Sequence, residues 1–243
     1  VGGTSIPRDP LSEFYEDASV LIEQAAEDVQ VPMDAAIFNS KTSNPLYLSL
    51  DDIFYICHEE KEASINNVAF YIRYLHEKII SLKKERMFGF INPATFALNS
   101  RTPETLLNEL KTCLANVKTE YVFLSIPKIW WLCSVNGKPI DNIDEIMKSA
   151  VENCVGERPP SWYSPPHVPR QPGYWECGFY VMRFMKDIIE GKPNPVTGLM
   201  RFEKQVYDKD DIMEVKMEWM NHLKKHLMCV FRFYYTIKLM LFW

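Results

Sequence analysis

The sequence predicts an α+β domain, because stretches with helical periodicity are mixed with short runs of strand-forming residues. Apolar residues recur at helical spacing over 65–82 and 177–190, and a third helix is predicted from 103 to about 115. Two apolar runs, 121–127 and 128–134, have the length and composition of strands. The chain has 243 residues, 47% of them hydrophobic, which is enough for one sizeable core.

Composition divides the chain into three parts. They are an acidic N-terminal extension, 1–45, a domain, 46–228, and an apolar C-terminal tail, 229–243. The extension is predicted to contain a solvated acidic helix over 11–30. The domain begins with a short strand-like run, 46–52, that passes into a helix with Ser49 or Asp51 as its cap. The tail is interrupted by charged residues and is too short to span a bilayer.

The next elements have recognisable start signals. The helix over 65–82 carries apolar residues at Val68, Ile72, Leu75, Ile79 and Leu82, and 88–93 follows as a short extended segment. Thr102 is a predicted N-cap with Pro103 at the first helical position. The two strand runs meet at Pro127, and so short a link prevents them from pairing with each other.

Charge and cysteine usage exclude several classes of protein. A formal net charge of −5 gives no basic footprint for nucleic acid. The six cysteines are spread along the chain without a CxxC pair or a His/Cys cluster, so the sequence predicts neither a zinc site nor a disulfide framework. We expect reduced thiols in an intracellular protein.

The helix over 176–190 is the centre of the predicted domain, because almost all of its faces are apolar and Val181 is one of its predicted core positions. Glu176 in its first turn suits the positive end of the helix dipole, and Gly191 is the predicted C-cap.

Cys177 lies at the N-terminal end of this helix, where unpaired N–H groups stabilise a thiolate nucleophile. Gln171 lies six residues upstream and can offer an amide N–H as an oxyanion donor. Cys177 as one more buried core residue is an equally good interpretation of this pattern taken alone.

Gln171 together with the run 176–181, Glu-Cys-Gly-Phe-Tyr-Val, resembles the nucleophile segment of the ubiquitin-like-protein-specific cysteine proteases, the SUMO-protease family. The helix over 65–82 and the segment 88–93 resemble plant members. The resemblance implies a papain-like or adenain-like fold, with a mixed sheet and a central helix that carries the cysteine. It also implies that Cys177 attacks, that Gln171 builds the oxyanion hole, and that no metal or cofactor takes part.

Two parts of the family pattern are missing. The family places a His-Trp strand, which supplies the general base, where this chain passes directly from Pro127 to Lys128. The resemblance therefore implies that one core strand is deleted. The run 131–139 resembles the family segment that supplies the triad acid, and Cys133 stands at that acid's position. A thiol cannot orient and stabilise an imidazolium as a carboxylate does.

A substitute base has to come from the other histidines. His167, in the proline-rich loop before Gln171, is a weak candidate because that loop is extended and stiff. His58 follows an apolar stretch, and His76 is expected at a helix surface or boundary. His222 and His226 are four residues apart and are expected on a solvated helix face rather than in a metal site.

These expectations lead to three hypotheses about function. The first is family chemistry, cleavage of the C-terminal or isopeptide bond of a SUMO-like modifier, here expected to be degenerate and inactive as written. The second is a non-catalytic protein that binds a modifier or partner. The third is a mis-spliced product, or a faulty translation, of an intact gene for an active protease. No nucleic acid or membrane is expected as a partner, and the resemblance implies the nucleus rather than the cytoplasm.

Overall fold

The computed structural model describes residues 9–25, 27–38, 40, 43–96, 102–116, 119, 121–122, 128–130, 132–135, 141–155, 161–163, 165, 167–192 and 201–241. Its helices are α1 (Pro10–Ala25), α2 (Leu50–Cys57), α3 (Ile65–Ser81), α4 (Pro103–Asn116), α5 (Asp141–Val155), α6 (Cys177–Glu190) and α7 (Lys209–Leu241). Its strands are β1 (Val29–Val31), β2 (Leu46–Leu48), β3 (Phe88–Gly89), β4 (Tyr121–Val122), β5 (Lys128–Trp130) and β6 (Ser161–Tyr163). The predicted α+β class is confirmed, with helices predominating.

The described strands pair in three two-stranded ladders. β1 and β2 are antiparallel, whereas β3–β4 and β5–β6 are parallel. The two predicted strand runs give β4 and β5, which pair with different partners, as their short link requires. Residues 123–127 and 131 of these runs lie outside the described residues. Residues 132–134 are described and are not in a strand, so the second run was predicted too long. The mixed sheet of a papain-like fold stays a prediction.

Helix α1 differs from the solvated helix that the sequence predicted. Its acidic residues face solvent, but Leu11, Phe14 and Ala18 are buried and belong to the main hydrophobic core. The spacing of these three residues puts them on one face, which packs against α2. The β1–β2 ladder crosses the predicted boundary after residue 45. Residues on both sides of that boundary therefore share one core.

The predicted helix caps are present. Ser49 and Asp52 form a reciprocal capping box at α2, which selects Ser49 over Asp51 as the cap. At α4, the Thr105 N–H donates to Thr102 Oγ1 at 3.2 Å. Helix α5 was not predicted from the sequence, and it packs on α4 around a second hydrophobic cluster that includes Leu110.

Helix α6 lies between α3 and α7 and is the central helix of the main core. It ends at Gly191, whose left-handed φ of 88° suits the predicted glycine C-cap. One predicted core position is wrong, because Val181 is 41% exposed. Helix α7 continues through the predicted start of the tail at residue 229. Among the described residues, no helix is long and apolar enough to cross a membrane.

Candidate functional site

Cys177 is the first residue of α6 and is exposed, as the nucleophile hypothesis requires. Its thiol donates to the Tyr174 carbonyl oxygen at an Sγ–O distance of 3.6 Å. The preceding residue, Glu176, occupies the N-cap position and makes no side-chain capping hydrogen bond within the described residues. The unpaired N–H groups of the first turn therefore lie beside the thiol rather than being capped by Glu176.

Gly178 lets the N-terminal end of α6 pack against the segment that precedes α3. A Cβ atom at Gly178 would lie 2.8 Å from the Ala63 Cβ and 3.1 Å from the Ala63 carbonyl oxygen. Ala63 is followed by Ser64, the N-cap of α3, whose Oγ accepts from the Asn67 N–H at 3.1 Å. The position of Cys177 is therefore tied to the start of α3 through a contact that only glycine permits.

Gln171 is held by hydrogen bonds on both its backbone and its side chain. Its N–H donates to the Ser134 carbonyl oxygen at 3.1 Å, and Ser134 Oγ donates to its Oε1. Its Nε2 donates to the Gly173 carbonyl oxygen at 2.8 Å. A primary amide carries two N–H groups. One N–H of Gln171 thus shapes the loop that leads to Cys177.

The structure places Cys133 next to this loop, since Ser134 is its neighbour in the chain. Cys133 is partly exposed, and Ser134 is buried at 7% exposure. Leu132, on the other side, packs against the main core. The structure therefore brings together three of the predicted site segments, those of Cys133, Gln171 and Cys177. Residues 131 and 136–139 of the family-like run lie outside the described residues.

No hydrogen bond within the described residues joins a histidine to the Cys177 thiol. His167 is exposed, and its φ is 64°. His58 stacks on Phe54 with ring centroids 3.9 Å apart, and its Nδ1 lies 3.0 Å from the Phe54 carbonyl oxygen. His76 is half-buried on α3, which matches the expected boundary position. These contacts leave the predicted site without a bonded base.

The expectation that His222 and His226 lie on a solvated face is wrong. His222 is 7% exposed, and its Nε2 lies 3.2 Å from Arg73 Nη1. Burial, with Arg73 as the next cause, lowers the pKa of His222 to about 4. The His226 Nε2 lies 3.1 Å from the Gln30 carbonyl oxygen. Both rings therefore belong to packed contacts of α7.

Glu176 is a feature of the site that sequence reasoning missed. It is 5% exposed, and its Oε2 is buried without a hydrogen-bond partner in the described part of the chain. The carboxylate lies over Gly173, because a Cβ atom there would come within 2.9 Å of Oε2. The sequence predicted only that Glu176 would favour the helix N-terminus. Its burial depends on how the 171–175 loop folds back.

A buried polar network holds α6 against the segment that leads into α7 and against the loop that precedes α6. The Arg183 Nε lies 3.0 Å from Asp187 Oδ1, and Asp187 Oδ2 accepts from the Tyr207 O–H at 2.7 Å. The Tyr180 O–H donates to the Arg170 carbonyl oxygen at 3.0 Å. This last bond links the first turn of α6 to the residue before Gln171. The helix and the loop are thus positioned as one unit.

Two of the other described thiols, those of Cys57 and Cys113, are poor nucleophiles. Burial raises the pKa of the Cys57 thiol to about 12 and raises the pKa of the Cys113 thiol as well. Cys113 lines a cleft of about 700 Å³ between α3 and α4. The described residues contain no cluster of three or more His, Cys, Asp or Glu that could hold a metal ion.

Comparisons with models of known protein families and with curated protein sequences give no match to this chain.

Proposed function

We propose that the chain is a domain of the ubiquitin-like-protein-specific cysteine protease type that retains a nucleophile and an oxyanion donor but does not hydrolyse its substrate as written. The observation that carries this proposal is the exposure of Cys177 at the start of an otherwise largely buried helix. A merely structural cysteine is expected inside the core. Gln171, fixed in the preceding loop, supports the same assignment.

The proposed chemistry needs more than these two groups. The Cys177 thiolate would attack the carbonyl carbon at the C-terminal glycine of a modifier, and the second N–H of the Gln171 amide would receive the oxyanion. A base must first take the thiol proton and an acid must return one to the leaving amine. Such transfer contributes about 10²–10⁴-fold to the rate, and neither Cys133 nor a bonded histidine supplies it.

A repair experiment tests this proposal. We expect no hydrolysis of a fluorogenic modifier C-terminus by the chain as written, and none by Cys133→Asp alone, because a carboxylate has no imidazole to orient. Insertion of a family-like His-Trp strand between Pro127 and Lys128 together with Cys133→Asp should restore cleavage. Cys177→Ala in the repaired chain is the control and should abolish it.

Hydrolysis by the unrepaired chain that disappears in Cys177→Ala would contradict the proposed inactivity and would make His167 the base to test next. Failure of the repaired chain, while it binds the modifier, would contradict the assigned chemistry. Sequencing of transcripts across the Pro127–Lys128 junction separates a chain that truly lacks the strand from a mis-spliced or faulty product of an intact protease gene.

Binding of a modifier without cleavage is the second candidate function. Three exposed apolar side chains come from the segments around Cys177: Val135 is 58% exposed, Tyr174 82% and Val181 41%. Exposed apolar groups on segments near a candidate site suit a protein partner. Tyr174→Ser with Val181→Ser should weaken binding of an intact modifier at least tenfold in calorimetry. Val20→Ser, at a 52% exposed position on α1, is the matched control and should not.

A further inference from the structure

The loop 171–176, here called the Gln171 loop, is contacted by the Cys177 thiol and by the residue that follows Cys133. The Gln171 N–H and Oε1 bond to Ser134, which directly follows Cys133. On the other side, the loop turns back so that the Cys177 thiol reaches the Tyr174 carbonyl oxygen at 3.6 Å. Consecutive Cα atoms are about 3.8 Å apart. Cys133 is therefore one residue from a direct contact with the loop that carries Cys177.

Both thiols are accessible to a small reagent. Cys177 is exposed and Cys133 is partly exposed, whereas Cys57 is buried. Cys113, the other partly exposed thiol of the described set, lines the cleft between α3 and α4, whose described lining includes no residue of the 171–177 loop. Accessibility and position thus single out Cys133 as the described thiol best placed to meet Cys177.

We propose that Cys177 and Cys133 form a thiol pair that reduces hydrogen peroxide, with Cys177 as the oxidised thiol and Cys133 as the thiol that resolves it. This goes beyond the hydrolytic chemistry proposed above, since it requires neither a histidine nor a carboxylate at position 133. Cys177 is exposed at the start of α6, where a peroxide molecule can reach its sulfur, and the thiolate is the form that attacks peroxide.

Peroxide is reduced in two steps. The Cys177 sulfur attacks one peroxide oxygen, the O–O bond breaks, and the departing hydroxide takes a proton to leave as water. Cys177 is then a sulfenic acid, oxidised by two electrons. The Cys133 sulfur attacks the Cys177 sulfur, an S–S bond forms, the S–O bond breaks, and a second water leaves. The product is an intramolecular disulfide, which an external thiol can reduce.

Tryptic mapping of the full chain tests this pairing. Cleavage after Arg170 and Arg183 releases 171–183 with Cys177 as its only cysteine, and 129–148 contains only Cys133, because Pro139 protects Lys138. After treatment with hydrogen peroxide we expect the cross-link between these two peptides at a yield at least tenfold above any other cysteine pair. An equimolar mixture of ¹⁵N-labelled and unlabelled chain should give cross-links of uniform label only.

Two serine variants complete the test. Cys133→Ser should remove the cross-link and increase dimedone labelling of Cys177 at least fivefold, because the sulfenic acid persists. Cys113→Ser is the matched control and should leave the cross-link yield unchanged. The proposal is overturned if Cys177 pairs equally with another cysteine, if the cross-links carry mixed isotopes, or if dimedone labelling is the same with and without Cys133.

Discussion

The Nζ of Lys186 lies 2.8 Å from Oε1 of Glu218, across the contact between α6 and α7. The Lys186 side chain is 2% exposed and that of Glu218 is 20% exposed, so the cation is the more deeply buried partner. Glu218 also accepts from the Tyr71 O–H at 2.6 Å, and Glu214 Oε1 lies 2.6 Å from the same Nζ. This cluster holds the helix that presents Cys177.

The unequal burial predicts unequal costs of substitution. Lys186→Met removes the buried charge, keeps an apolar stem of similar length, and leaves carboxylates that water can reach. We expect it to lower the free energy of unfolding by at most about 1 kcal/mol. Glu218→Gln removes one of the negative charges that neutralise the buried Lys186 ammonium. It should lower the free energy of unfolding by about 3 kcal/mol. Urea unfolding of the two variants checks this order, and a larger loss in Lys186→Met would contradict it.

The contact between Gly178 and Ala63 predicts a destabilising alanine substitution. Gly178→Ala places a Cβ 2.8 Å from the Ala63 Cβ, so the start of α6 has to move, at a cost of about 1–3 kcal/mol. Without that contact, alanine in a helix would be favourable by up to about 1 kcal/mol. Ala63→Gly in the same chain should recover part of the loss in thermal unfolding. Independent, additive effects would show that the two residues do not touch.

His222 should make the stability of the fold depend on pH. Its pKa of about 4 in the folded chain lies below the unfolded value of about 6.5, so the unfolded chain binds this proton first. The contribution of neutral His222 to the free energy of unfolding is therefore complete above pH 6.5. It is lost as the pH falls from 6.5 to 4, and the total loss is roughly 3 kcal/mol. The positive charges of Arg73 and Lys225 disfavour protonation of the His222 ring. The Glu77 carboxylate, 3.7 Å from the His222 Nδ1, favours it.

Urea unfolding at pH 7 and at pH 4.5 measures this dependence. His222→Gln keeps a hydrogen-bonding group for Arg73 but does not titrate, so it should lose much less stability between the two pH values than the parent chain. His167→Gln, at an exposed position, is the matched control and should follow the parent chain. An identical pH dependence in His222→Gln and in the parent chain would contradict the assignment.

Among the described thiols, Cys177 should react fastest with an alkylating reagent. It is exposed at a helix N-terminus, whereas the pKa of Cys57, raised to about 12, makes that thiol about 10³-fold less ionised than an ordinary one at neutral pH. Competitive alkylation at pH 7.5 with peptide mapping gives the order. Gly178→Ala, which moves the start of α6, should lower the rate at Cys177. Equal labelling of Cys177 and Cys113 would contradict this prediction.

Local signals were sufficient for much of the secondary structure. The start of α2 at Ser49 or Asp51, the start of α4 at Thr102 and the end of α6 at Gly191 were predicted because a cap depends on residues within one turn of the helix end. The position of Cys177 at the start of α6 follows in the same way. The periodicity of α3 was also readable, because a helix that packs on a core must repeat its apolar face.

Burial and long-range pairing were decided only by the tertiary structure. The sequence predicted a solvated face for His222, but α3 and α7 meet there and enclose the ring. It placed Val181 in the core, but the neighbouring elements leave that stripe of α6 exposed. The contacts of Gln171 with Ser134 join residues that are far apart in the chain. Periodicity reports which residues share a face, whereas only the packing of the elements determines what covers that face.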